Sequence, residues 1–288
     1  MSLLRVLPGQ RVAVIGDVGG HVDALRDELA RLGVPGDGEG PLPPDLLVVQ
    51  VGDLIHRGPD SAGVVALVDR QLQANPDRWI QLVGNHEAFY LRRKQFSWSE
   101  RVPRGTVAVL RNWWTSGRMR PAVAIRAAGE DLLVSHAGLT RGFWADVLGA
   151  PSDVAAAADA INALAHRNSR ALFKPGTMVG WRDPDHAAGP VWAAAGTEVA
   201  ASWSGHELPF SQVHGHSSVY NWEAGSWNLG DDLRQAARLD DTARHVVITL
   251  PGGRLVGVDP GHGAEVRRQW RAFELPGGPV TPSGSAPS

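Results

Sequence analysis

The sequence predicts an α/β fold in which a second β-sheet packs on the first. Three observations carry that prediction. The first half of the chain alternates short apolar runs with helical periodicity. Its three strand-like runs each end in Gly-Asp or Gly-Asn. The second half is richer in strands and holds a hairpin pattern, which a doubly wound parallel sheet leaves unexplained.

Arg11–Asp17 (RVAVIGD) is an apolar run of strand length. Residues 22–32 then place Val22, Leu25, Leu29 and Leu32 on one helical face. The Gly/Pro-rich stretch 35–44 (PGDGEGPLPP) reads as a loop. Asp45–Asp53 (DLLVVQVGD) is a second strand. Ser61 is expected to cap the next helix, which runs to about Asn75 with Val64, Leu67, Val68 and Leu72 inward. Trp79–Asn85 (WIQLVGN) is a third strand, and another helix is expected from His86. Such a βαβαβα order gives parallel strands, whose carboxyl ends are where ligands bind. Asp17, Asp53 and Asn85 lie at those ends.

In the second half, Leu132–Leu139 (LLVSHAGL) reads as a strand and loop, 152–166 as an Ala-rich helix and Val213–Val219 as a short strand. Residues 245–259 (HVVITL-PGG-RLVGVD) read as a hairpin around Pro-Gly-Gly. The stretch 276–288 (PGGPVTPSGSAPS) has the composition of a disordered tail. No internal repeat or central linker is visible, so residues 1–275 are expected to form one domain.

Composition narrows the chemistry. The 288 residues are 43% hydrophobic and 20% charged, which suits a globular protein rather than a disordered one. Cysteine is absent, so disulfides, zinc–thiolate sites and thiol catalysis are excluded. The net charge of −2 gives no global basic field for nucleic acid. No uncharged apolar run approaches the ~20 residues of a membrane span, so no membrane partner is expected. The N-terminal segment lacks the three-part pattern of a secretion signal, so a cytoplasmic location is expected. Of 28 basic residues only Lys94 and Lys174 are lysines, which fits a GC-rich genome better than a use for planar anion-binding forks.

Divalent cations take carboxylate, amide and imidazole ligands. Asp17, Asp53, Asn85, His136 and His216 offer that mixture from five strand ends, each beside glycine or another small residue. The segments GDVGGHVDAL (16–25), GDLIHRGPDS (52–61), GNHE (84–87), SHAGL (135–139) and HGHSS (214–218) resemble the five motifs of the calcineurin-like metallophosphoesterases. The likeness is to the branch that holds serine/threonine protein phosphatases and symmetrical diadenosine tetraphosphatases, and it spans about residues 11–219.

The resemblance implies a two-sheet β-sandwich flanked by helices in four layers (α/β/β/α), a phosphoric ester hydrolase activity and two divalent ions. Manganese is the first choice of ion, with iron or zinc next. Asp53 would bridge both ions and Asp17 would hold the first. Asn85, His136 and His216 would hold the second. Arg57 would grip the phosphate, which Asn85 and His86 also contact, and His86 would protonate the leaving oxygen. A metal-bridging hydroxide would attack phosphorus. The substrate would be a phosphomonoester, one on a phosphoprotein serine or threonine included, with a diadenosine polyphosphate as the alternative. A non-catalytic member that binds a phosphate ligand or a partner is the reading from another class.

Two departures stand out. The family pattern G-D-x-H-G reads Gly16-Asp17-Val18-Gly19-Gly20 here, so the imidazole expected to bind the first ion is absent. His21 and the His214–His216 pair are the candidates to replace it, with His216 alone binding as the preferred register of the pair. His56 stands where the family has the aspartate that orients the histidine of GNHE. The other histidines, 166, 186, 206, 245 and 262, are expected to be structural or exposed. Trp113 and Trp114 fall in an expected helical insertion after GNHE, where core packing is the first reading and a substrate-selecting cap the second. Arg118 and Arg120 follow, as a solvated charged face before a contact for extra phosphates.

Overall fold

The computed structural model describes residues 3–92, 96–167, 169–179, 183–263 and 270–277. The strands are β1 (Leu3–Arg5), β2 (Arg11–Ile15), β3 (Leu46–Gln50), β4 (Trp79–Leu82), β5 (Met119–Arg120), β6 (Ala122–Ala127) and β7 (Glu130–Ser135). They continue as β8 (Ser211–His214), β9 (Tyr220–Asn221), β10 (Ser226–Trp227), β11 (Ala237–Asp240), β12 (His245–Leu250), β13 (Gly253–Gly257) and β14 (Phe273–Pro276). The longer α-helices among the described residues are α1 (Val22–Arg31), α2 (Ser61–Ala74), α3 (Asn85–Leu91), α4 (Arg104–Thr115) and α5 (Val154–Arg167).

Two large sheets result. One has the order β14-β2-β3-β4-β5, parallel throughout except for β14. The other has the order β1-β6-β7-β8-β13-β12-β11, with both β7 and β13 parallel to β8. Side chains alternate in direction along each strand. Val12, Val14, Leu47 and Val49 therefore meet Val123, Ile125, Val134, Val213 and Val256 between the sheets. The intervening Ala13, Ile15, Leu46 and Val48 turn outward, against Leu25 and Leu29 of α1 and Val64 and Leu67 of α2. Burial on both faces explains why these strands read as continuous apolar runs. Among the described residues no helix is long and apolar enough to cross a membrane.

The predicted hairpin forms as β12 and β13, with Leu250 opposite Gly253. Several other expectations are corrected. Ser61 is not the cap of α2. Asp60 is, accepting from Gly63 N at 2.7 Å, while Ser61 Oγ accepts from the buried His56 N at 2.8 Å. Both residue types cap well, and the need of His56 for a partner decides between them. Asn85 opens α3 behind Gly84 rather than ending a strand, because β4 stops at Leu82. The stretch expected to be disordered from 276 begins inside structure: Pro276 closes β14, and Gly277 N donates to Gln10 O at 2.8 Å. Residues 278–288, like Lys94, lie outside the described residues. Trp113 is fully buried and donates Nε1–H to Asp69 Oδ1 at 2.8 Å, so it is part of the core and no cap.

The two sheets meet closely at their carboxyl ends. A Cβ on Gly16 would lie 2.0 Å from Val258 O, a backbone atom at the end of β13. Only glycine permits that approach. Gly16→Ala should therefore lower stability by about 1–3 kcal/mol, the usual cost of overpacking. Urea denaturation checks this, and an unchanged midpoint would mean that the sheet ends separate without cost.

Candidate metal centre

Five carboxyl-terminal strand ends deliver the predicted residues to one place. Asp17 follows β2, Asp53 follows β3, and Asn85 and His86 follow β4. His136 follows β7 and His216 follows β8. Backbone bonds lock the loops together: Val18 N and Gly19 N donate to Asp53 O at 3.1 and 2.8 Å, and Gly20 N to Leu54 O at 2.8 Å. Glu87 is the clamp. Its buried carboxylate accepts from Asp53 N, Leu54 N and Gly84 N at 2.8–2.9 Å, joining the ends of β3 and β4. Asp53, His56, Arg57 and His216 all have positive φ, between 54° and 73°. Such conformations are uncommon in residues other than glycine and concentrate at functional turns.

Ligand atoms of Asp53, His136 and His216 lie within 4.8 Å of one another, and all three residues are buried. His136 Nδ1 is 3.0 Å from Val51 O, so it carries the proton and leaves Nε2 with a bare lone pair. The Asn85 side-chain oxygen is 3.0 Å from His136 Nε2 and 3.0 Å from His216 Nδ1. It is also 3.1–3.2 Å from both Asp53 carboxylate oxygens. Turning the amide over would offer two hydrogens to four acceptors. With the oxygen inward and His216 protonated on Nε2, five acceptors converge, and a divalent cation satisfies such a set.

Charge states agree with that reading. Burial opposes ionisation of Asp53, yet the surrounding His86, His136 and His216 hold its carboxyl well below the usual range. Burial lowers the imidazoles, His56 and His216 to about 3, with further lowering from their neighbours His86 and His136 respectively. Burial also lowers His86 and His136. Near neutrality the centre is a carboxylate among neutral imidazoles, the protonation state that metal ligands need.

Beside it, His86 Nε2 is 3.8 Å from Asp53 Oδ2. His56 Nδ1 faces His86 Nδ1 at 2.9 Å, and His56 Nε2 faces Tyr90 Oη at 2.9 Å. Trp98 stacks on His56 with ring centroids 5.2 Å apart and meets His86 edge-on at 4.9 Å. Arg57 is exposed at the rim, its guanidinium 5.8 Å from the Trp98 ring.

The missing imidazole at position 19 is not replaced by either expected candidate. His21 Nε2 is 2.9 Å from Gly263 O, and its ring packs on His262. His214 Nδ1 is 3.1 Å from Gly215 O, and its ring faces Ala195, Val219, Val246 and Leu255. His216 alone of that pair joins the cluster. His245 and His262 are buried, and His166, His186 and His206 lie away from it. Arg118 is exposed, and Arg120 lines a separate cavity with Trp114 and His166. Glu87, Tyr90, Trp98 and Asp259 were not singled out in the sequence. Asp259 carried a readable signal, since VGVD ends a strand in aspartate as RVAVIGD and DLLVVQVGD do.

Residues 10–247 match the family model of the calcineurin-like phosphoesterases. The fold is similar to that of a cold-active protein-tyrosine phosphatase from a psychrophilic Shewanella species, at 17% identity and a TM-score of 0.53 over 91% of this chain and 73% of that one. A putative diadenosine tetraphosphatase matches at 19% identity and 0.41, over 90% and 88% of the two chains. A protein serine/threonine phosphatase from Saccharomyces cerevisiae matches at 14% and 0.45, over 96% and 83%. At 17% identity the likeness to the Shewanella enzyme is one of fold.

His56 makes acid sensitivity testable. Its imidazole titrates near 6.5 when free and near 3 when folded. Below the free value the unfolded chain binds the proton and the folded chain does not, so this group costs stability increasingly as pH falls from 6.5 towards 3, and nothing above. In metal-stripped protein, wild type should lose more stability than His56→Asn between about pH 7.5 and about pH 5. Parallel urea-midpoint profiles for the two proteins would contradict this.

Proposed function

The chain belongs to the calcineurin-like phosphoesterase family, and from that membership we propose that it is a metal-dependent phosphatase acting on phosphomonoesters. The observation that carries the proposal is the convergence of Asn85, His136, His216 and Asp53 lone pairs on one buried point. Divalent ions bound there supply positive charge to the phosphate oxygens and a water acidic enough to attack near neutral pH. The mixed oxygen and nitrogen set suits manganese first and iron or zinc next.

The chain's own residues do the rest. Asp53 balances charge on the ions, and its Oδ1 accepts from His86 N at 2.9 Å, so metal ligand and acid are held in one register. Arg57, exposed at the rim with a planar guanidinium, takes two phosphate oxygens. His86 holds a proton on Nε2 for the departing alkoxide. When both its nitrogens are protonated, Nδ1–H donates to His56 Nδ1, and His56 Nε2–H donates to Tyr90 Oη. That chain replaces the fixed carboxylate found in relatives by neutral partners. Phe96 and Trp98 pack beside His86 and keep bulk water from its ring.

Two measurements test the reading. Asp53→Asn should lose tight metal binding and hydrolysis while keeping its fold, because a neutral amide cannot balance the ions. Activity near wild type with manganese would refute the site. His86→Ala should slow an alkyl phosphate such as phosphoserine more than an activated aryl phosphate, whose leaving group needs no proton. A general acid contributes ~10²–10⁴-fold, so the gap should be large. Equal losses on both substrates would reduce His86 to a phosphate-positioning group.

A further inference from the structure

The first of the two expected ions lacks its usual imidazole, since position 19 is a glycine with φ +52°. His21 and His214 have turned elsewhere. What lies beside Gly19 is a cavity of about 240 Å³, lined by Asp17, Asp53, Asp259, Arg57 and His262 among others. Four carboxyl side chains, these three and Glu223, thus share one lining with a single guanidinium. Asp53 also belongs to the buried cluster whose lone pairs already call for a cation.

Asp259 reaches this space through the sheet. β13 runs parallel to β8 with Gly257 beside His214, and Val258 N donates to His214 O at 2.8 Å. Val258 in turn rests against Gly16, so the residue that follows it emerges next to Asp17. Gly261 N–H holds Asp259 Oδ1 at 2.8 Å and fixes the carboxylate. A sixth strand end therefore joins the five that carry the motifs.

We propose that Asp259 replaces the missing imidazole and, with Asp17 and Asp53, holds the first ion in a shell of oxygen ligands, while Asn85, His136 and His216 hold the second. The proposal rests on the metal-centre reading above. It makes the two halves chemically unlike. An all-carboxylate half selects hard, oxygen-preferring cations such as Mn²⁺ or Mg²⁺, and the imidazole-bearing half also accepts zinc or iron.

The test counts ions rather than turnover. Full-length protein is stripped, dialysed against Mn²⁺ and analysed for metal content, with a thermal melt as the folding control. Wild type should hold about two ions and show the spin-coupled resonance of a manganese pair. Asp259→Asn and Asp17→Asn should each hold about one ion and lose that coupling. Adding Gly19→His to Asp259→Asn should bring the second ion back. If Asp259→Asn melts early, Asp259→Ser serves instead, since its hydroxyl still accepts from Gly261 N–H without charge. Two ions retained at wild-type affinity in the folded variant would overturn the role of Asp259 and leave the phosphatase reading standing. A wild type that binds no metal would overturn the centre itself.

Discussion

A carboxylate taken out of water must meet positive charge or donated hydrogens, and Asp53 places that demand at the middle of this fold. Asp53 is 3% exposed, and His86 N–H gives its side chain a hydrogen bond. With the Asn85 side-chain oxygen inward, Asn85, His136 and His216 turn lone pairs towards Asp53. A cation reconciles these neighbours. The surrounding loops serve the same end: Glu87 fixes the backbone on both sides of the gap, and Val51 O fixes the proton of His136 on the far nitrogen.

The geometry is held against local preference. Asp53, His56, Arg57 and His216 occupy left-handed backbone, which costs L-residues roughly 1–2 kcal/mol each. The loops tolerate it because they are bonded to one another rather than to solvent. Gly58 N donates to Gly19 O and Asp60 N to Gly20 O, so the turn after β2 and the turn after β3 form one unit. Packing of the two sheets supplies the remaining restraint, and a core of valine and leucine on both faces of the parallel strands has few ways to shift.

Much of this was legible in the sequence. Continuous apolar runs ending in Gly-Asp or Gly-Asn located three strands and their carboxyl ends, and GNHE with GDLIHRGPDS located His86 and Arg57. The unread parts have physical reasons. β5, β9 and β10 are two residues each, too short for any period to show. Whether His214 or His216 faces the cluster depends on where β8 ends, at His214, and on the left-handed turn at His216. Asp259 read only as the last residue of the 245–259 hairpin, and the pairing of β13 with β8 brings it beside Asp17. Sequence order does not disclose strand order.

The antiparallel pairing of β14 with β2 has a consequence for synthesis. Val14 pairs with Phe273 and Arg11 with Pro276, so the strand leading to Asp17 has one flank closed by a segment from the far end of the described chain. Glu28 and Arg31 of α1 reinforce that closure through Ala272 N and Glu274. On the ribosome β2 emerges early, and β14 follows only after nearly everything else. In the interval the flank of β2 is an open edge of unpaired N–H and C=O groups, a template for pairing with other chains. The pairing of β14 with β2 is thus among the most non-local contacts of the described residues, and β2 keeps an aggregation-prone edge until β14 arrives.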